Sequence, residues 1–391
     1  MVLKPDRAIL AMMVGQTLIW AALFYSFVAL VPAWQEGLGW SNTSIMAAFS
    51  LAAIIWSLVT PLTGRAIDRG WGPQLIPGAA LCGAGLLVAL AMVDTYSAFL
   101  IIWAGIGLTM AATLYEPAFA MVLRARGATA RKGITAIAIT AGFASSISYP
   151  IVHLVTEMAG WRAALLVMAV IAALLAAPLL ALGARWLEAE TPAAPPRQDA
   201  EGGWLKLRRL PNFVLVAMAF ALAALVPGTI LAQLFPLLDD RGVAPGIAVL
   251  AASMIGPAQV VGRLAVALIA PRASATVIVV AAMAALAVSA LLMIAAARLP
   301  ALIFVMVLFY GIGNGLVGIF RPVLARERYG EADIGAVAGA LAGPALFVAA
   351  LAPVAGALLA DFGGYGLMLC TVAAAAGSGA VILLLTAPKR A

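Results

Sequence analysis

The sequence predicts an all-α integral membrane protein of twelve transmembrane helices in two pseudo-symmetric six-helix bundles. First, 65% of the 391 residues are hydrophobic and 10% are charged, with a mean hydropathy of +1.11. A soluble core cannot hide so much apolar surface, so the solvent is lipid. Second, the apolar stretches run ~20 residues or more, the length a helix needs to cross a bilayer, and they lack the alternating ~10-residue pattern of an outer-membrane barrel. Third, they fall into two sets of six around a charged, proline-bearing segment.

Breaks at Gly, Pro and charge place the first six spans near 8–33, 42–63, 75–93, 97–122, 133–156 and 162–184. The first run, Ala8 to Val31, spans a bilayer and lacks a small-residue cleavage site before a polar start, so it is expected to stay in place. The second six lie near 211–237, 246–269, 274–297, 299–324, 333–359 and 364–386. Residues 1–187 thus form an N-terminal bundle, 188–210 a cytoplasmic linker and 211–391 a C-terminal bundle. The linker, with Pro192, Pro195, Pro196, Gly202 and Gly203, has too few apolar residues to bury; its Trp204, Lys206, Arg208 and Arg209 suit the headgroup interface.

Net charge is +7, but the basic residues sit in short clusters between apolar runs and read as loop anchors rather than a nucleic-acid surface. Eighteen Lys and Arg residues fall at the termini, in the linker and in the even-numbered connections, against Arg162, Arg241 and Arg298 on the other side. That bias predicts a cytoplasmic (inner) membrane protein with both termini cytoplasmic. Cys82 and Cys370 lie in apolar segments without metal-like spacing, so packing is their expected role. No phosphate loop, metal cluster or nucleophile-base constellation is visible, so no enzyme activity, cofactor or metal is expected.

The halves repeat one another. Gly39-Trp40 after the first span parallels Gly242-Val243 after the seventh, and Gly64-Arg65 parallels Gly262-Arg263. Gly105-Ile106-Gly107 leads to Tyr115-Glu116-Pro117 in the fourth span, as Gly311-Ile312-Gly313 leads to Phe320-Arg321-Pro322 in the tenth. Pro150 and Gly160-Trp161 resemble Pro353 and Gly364-Tyr365. Six-span halves repeated in parallel are a transporter architecture, with substrate held near midplane.

Gly64 to Pro73, reading GRAIDRGWGP, resembles the signature loop between the second and third spans of the major facilitator superfamily. The resemblance covers essentially the whole chain and implies the major facilitator fold. It also implies that Gly64, Asp68 and Arg69 form a latch joining helix ends in the outward-facing state. Within that superfamily Gly256-Pro257-Ala258-Gln259-Val260-Val261-Gly262-Arg263 is similar to a stretch of the bacterial monocarboxylate-transporter-like branch, in which an acid and an Arg stand four apart. Here Gln259 replaces the acid, and Arg263 is implied to meet a substrate carboxylate.

Three charges fall well inside predicted spans: Glu116, Arg263 and Arg321. Such a charge costs ~3 kcal/mol or more on insertion scales, so it usually faces a cavity or a partner. Counting ~1.5 Å per residue, Glu116 lies about 12 Å from Arg124 and Arg263 about 13 Å from Arg272. Arg321 is about 7–8 Å from Arg326 and can also snorkel to the surface. The planar guanidinium suits bidentate carboxylate binding, which makes Arg263 the first anion anchor and Arg321 the second. Glu116 suits proton coupling, because desolvation and a nearby Arg push its proton affinity in opposite directions. It is equally suited to a structural ion pair with Arg321, its repeat counterpart.

Gln16, Trp20, Tyr25, Gln233, Gln259 and Asn314 can supply hydrogen bonds to substrate or between helices. His153 suits an outer interface, and the Gly335, Gly339, Gly343 row suits close helix packing. The expected function is secondary active transport of a small organic anion by alternating access, with a proton as coupled ion, the bilayer as surroundings and a monomer as working unit. An exporter of amphipathic compounds and a non-transporting receptor or scaffold are the alternatives.

Overall fold

A computed structural model describes residues 6–191, 210–269, 273–330 and 334–387. Trp204, Lys206, Arg208 and Arg209 of the linker lie outside the described residues. Every element among the described residues is helical. Ten continuous helices are long and apolar enough to cross a membrane. Two of them, Lys132–Glu190 with 59 residues and Gly339–Leu385 with 47, would run about 88 and 70 Å as straight helices, far beyond a ~30 Å hydrocarbon core. Each turns at a glycine: Gly160 has φ 82° and ψ 166°, and Gly364 has φ 73° and ψ 172°. Ten helices, two of them doubled, give twelve spans. Gly39 and Gly242, matched by sequence, both have φ 67°, a conformation a β-carbon would oppose.

The chain divides into two compact units, Met1–Pro196 and Arg197–Ala391. In the first, α1 (Arg7–Trp20) and α2 (Ser26–Leu38) flank a π-helical turn, Ala21–Tyr25. Then follow α3 (Asn42–Asp68), α4 (Gly72–Ala91), α5 (Tyr96–Thr113), α6 (Tyr115–Arg126), α7 (Ala130–Ala141), α8 (Ala144–Val170) and α9 (Ala177–Glu190). The second unit has α10 (Phe213–Ala232), α11 (Leu234–Asp240), α12 (Pro245–Ser253), α13 (Ile255–Ile269), α14 (Ala275–Ala295), α15 (Leu302–Tyr329) and α16 (Ile334–Leu385). Packing repeats: α3 and α4 lie against α5 as α13 and α14 lie against α15, and α1 meets α9 as α10 meets α16.

Small residues set these approaches, as expected where lipid supplies no hydrophobic drive between helices. A β-carbon on Gly107 would stand 2.3 Å from the Ala52 carbonyl oxygen of α3, and one on Gly311 would stand 2.4 Å from Cβ of Ala258 on α13. The second glycine of one Gly-Ile-Gly tripeptide therefore does the work of the first glycine of the other. Gly339 and Gly343, expected to pack closely, face open space. Cys82 and Cys370, expected to pack, are both exposed; neither is needed to fill a core. The sixth span continues as helix through Glu190, which carries α9 into the start of the segment 188–210.

Candidate functional site

In the first unit the site begins at a proline. Pro117 has no N–H to give the Thr113 carbonyl, and its ring crowds that oxygen, so the helix breaks at Leu114, where ψ is −148°. Two buried side chains answer the freed carbonyls: Gln16 Nε2 donates to Thr113 O at 2.7 Å, and Thr63 Oγ1 to Ala111 O at 2.9 Å. Gln16 is thus a helix-to-helix contact. The break leaves Glu116 exposed in the first turn of α6, where the partial positive charge of a helix N-terminus favours a carboxylate.

Rings surround this break. Trp20 lies 4.5 Å from Tyr115 and 5.7 Å from Trp56, centroid to centroid, and Tyr115 stacks on Phe119 at 5.1 Å. Tyr25, buried in the π-helical turn, meets Tyr149 edge-on at 5.7 Å. A second, fully enclosed ring cluster joins Phe27, Trp34, Phe99 and Trp103. In the second unit Phe213 meets Tyr329 at 5.7 Å.

In the second unit, Gly315 lets α15 approach α13 so closely that a β-carbon there would stand 3.0 Å from Gln259 Cβ. That closeness places the Gly315 carbonyl 3.3 Å from Arg263 Nε, while Arg263 Nη2 donates to Gln259 Oε1 at 3.4 Å. Gln259 is buried and Arg263 half-buried. Arg321 and Asn314, both on α15, are half-buried. Gln233 is fully buried and donates to the Pro353 carbonyl at 3.4 Å, beside Thr229 donating to Ala352 O at 3.1 Å. Gln233 therefore joins α10 to α16 much as Gln16 joins α1 to α5. His153 is half-buried.

The latch signature lies at the end of α3. Gly64 is half-buried, while Asp68 and Arg69 are exposed at the end of α3, and no side-chain hydrogen bond or ion pair of theirs is found among the described residues. Arg124 joins the ends of α3 and α9. Its Nη1 donates to Glu188 and to the Ile67 carbonyl, both at 2.8 Å, the latter a carbonyl at the C-terminal end of α3 that also accepts the Gly70 amide. Arg126 pairs with Glu190 at 3.0 Å and with Asp6. The Arg126 hydrogen bond holds the Asp6 carboxyl below its ordinary range. In the second unit Arg328 does the corresponding work. It donates to Thr386 Oγ1 at 3.0 Å and to the Leu383 carbonyl at 2.9 Å, while Glu327 accepts the Ala275 amide at the start of α14 at 2.7 Å. Sequence reasoning used these residues only as loop anchors. Their signal was cations in the last turn of a long helix and acids at the ends of neighbouring ones.

Twelve apolar spans in two like-packed units, with charged and amide side chains at mid-helix breaks, define a multi-pass α-helical membrane protein of transporter type. The family model described as Major Facilitator Superfamily matches residues 12–343, and the chain belongs to that superfamily of transporters. Its fold is similar to that in the crystal structure of nucleoside transporter NupG, in mutant form. The TM-score is 0.68 and the identity 16%, over 97% of this chain and 98% of that one. No curated protein matches the sequence.

Proposed function

We propose that the protein carries a small organic anion, a monocarboxylate in the first instance, coupled to protons and working by alternating access. It would lie in the cytoplasmic membrane with both termini inside. The observation that supports the anion is Arg263, a guanidinium inside an apolar helix, steadied at Nε and Nη2 by Gly315 and Gln259. Such a group stays protonated in dry surroundings and offers a planar fork to a carboxylate. Arg321 is the second anchor. Glu116 supports the proton, being an exposed acid at a helix break within a spanning segment.

Uptake into proteoliposomes from a carboxylate panel, with and without an imposed pH gradient, tests the reading. Accumulation of a carboxylate driven by the gradient is expected; uptake confined to uncharged solutes would sink it. Arg263→Lys should weaken carboxylate binding about tenfold, because an ammonium loses a paired charge-assisted hydrogen bond. Glu116→Gln should still exchange labelled for unlabelled substrate yet fail to accumulate it. If Glu116 is structural instead, folded yield, exchange and accumulation fall together. Asp68→Asn, read by cysteine accessibility from the two sides, tests the latch role of Gly64, Asp68 and Arg69. A second reading, export of amphipathic compounds, has in its favour the half-exposed rings beside Trp20.

A further inference from the structure

Three polar atoms at the α5–α6 break are buried without a hydrogen-bond partner: Gln16 Oε1, Thr113 Oγ1 and Trp20 Nε1. They share one place. Gln16 and Trp20 stand one turn apart on the same face of α1; Gln16 reaches the Thr113 carbonyl, and Trp20 lies against Tyr115, two residues further on. Their chemistry is complementary, since the indole N–H only donates, the amide oxygen only accepts and the hydroxyl does both. Native proteins seldom leave such groups unmet without a water, ion or ligand to answer them.

The niche adjoins an open face. Phe24, Trp56, Tyr115 and Phe119 are half-exposed and Glu116 is exposed on the same stretch of α6. An exposed carboxylate inside a spanning segment marks a face turned away from hydrocarbon, so the rings beside it line a polar path rather than lipid. Trp34 and Trp103 also have indole nitrogens without partners. Their ring neighbours Phe27 and Phe99 are themselves fully buried, whereas Trp20 has half-exposed rings beside it through which a solute can approach.

We propose that this niche is a subsite for a planar aromatic ring carrying a hydrogen-bonding substituent, so that the transported anion is an aromatic rather than an aliphatic carboxylate. The ring lies against Trp20, Trp56 and Tyr115, and its hydroxyl or ring amide accepts from Trp20 Nε1 and donates to Gln16 Oε1. The inference rests on the anion reading for its carboxylate, and on the first unit alone for its ring.

Calorimetric binding to the full chain in detergent separates the two. The probes are 4-hydroxybenzoate, trans-4-hydroxycyclohexanecarboxylate and 4-hydroxybenzamide. The planar acid should bind about fivefold more tightly than the saturated one, the gain of aromatic contact over equal area. Equal affinities overturn the subsite while leaving the anion reading intact. If the benzamide binds as well as the benzoate, the anion reading fails and the subsite stands. No binding of any probe overturns both. Trp20→Phe keeps a ring and removes the donor; it should cost 4-hydroxybenzoate about fivefold, with thermal unfolding showing that the variant folds. An unchanged affinity in that variant means the niche holds only water, and overturns the proposal. Tyr115→Leu, which leaves Gln16, Thr113 and Trp20 in place, should narrow the planar-to-saturated preference by itself, and an unchanged preference there counts equally against it.

Discussion

The two units solve the same packing problem with different chemistry at the ends of their fourth and tenth spans. In the first, Arg124 and Arg126 are met by Glu188, Glu190 and Asp6. In the second, Arg328 is met by neutral oxygens of Leu383, Thr386 and Thr276. The first arrangement is a partly exposed ion-pair cluster, weakened by water and salt. The second sets a half-buried cation against neutral oxygens at the end of α16, where dipole and hydrogen bond act together. One fold position tolerates either solution, provided the charge finds oxygen.

Removing Arg328 should therefore have the largest effect. Arg328→Leu strands several oxygens between α14, α15 and α16 and should destabilise by about 3 kcal/mol, read as a fall in the unfolding midpoint in detergent. A loss no greater than that of Arg124→Gln would erase the contrast between the units. The buried glutamines come next. Gln16→Leu orphans the Thr113 carbonyl and should cost about 2 kcal/mol, whereas Gln233→Leu, with its longer 3.4 Å bond to Pro353, should cost about 1 kcal/mol. Equal losses would mean that contact length does not rank the two breaks.

The ion pairs follow. A double-mutant cycle on Arg124 and Glu188, whose side chains are 23% and 28% exposed, should give about 1 kcal/mol at low salt and less at high salt. A salt-independent coupling would make this end as dry as its counterpart. Smallest is Asp6. Because Arg126 depresses its folded pKa, its contribution is present above the unfolded value of about 3.9 and is lost as pH falls through the lower folded value. Asp6→Asn should therefore give the same small loss of stability at pH 8 and pH 5. A loss that vanishes by pH 5 would show a carboxyl whose folded pKa is raised rather than lowered.

Much of the candidate site was legible as residue type but not as partnership. Glu116 and Arg263 stood out as charges in apolar runs, whereas the break before Pro117 was not read from the chain. Nothing in the chain said that Gln16 would take the Thr113 carbonyl, 97 residues away, or that Arg263 would reach Gly315, 52 residues away. The glycine tripeptides show the same limit. Identical in sequence, they meet their partner helices through different members, because a helix face depends on register as well as composition.

The sequence by itself determined the lipid-facing character of the chain, its span count and its turning glycines, since these depend on local hydropathy and on backbone sterics that act within a few residues. Gly39 and Gly242, and Gly160 and Gly364, took matched left-handed conformations wherever the repeat aligned them. Only the tertiary structure decided the exposure of Cys82 and Gly339, the joining of α3 to α9 through Arg124, and the gathering of Gln16, Thr113 and Trp20 at one break. Each depends on which helix lies alongside, and that is settled by close approaches summed over a whole bundle.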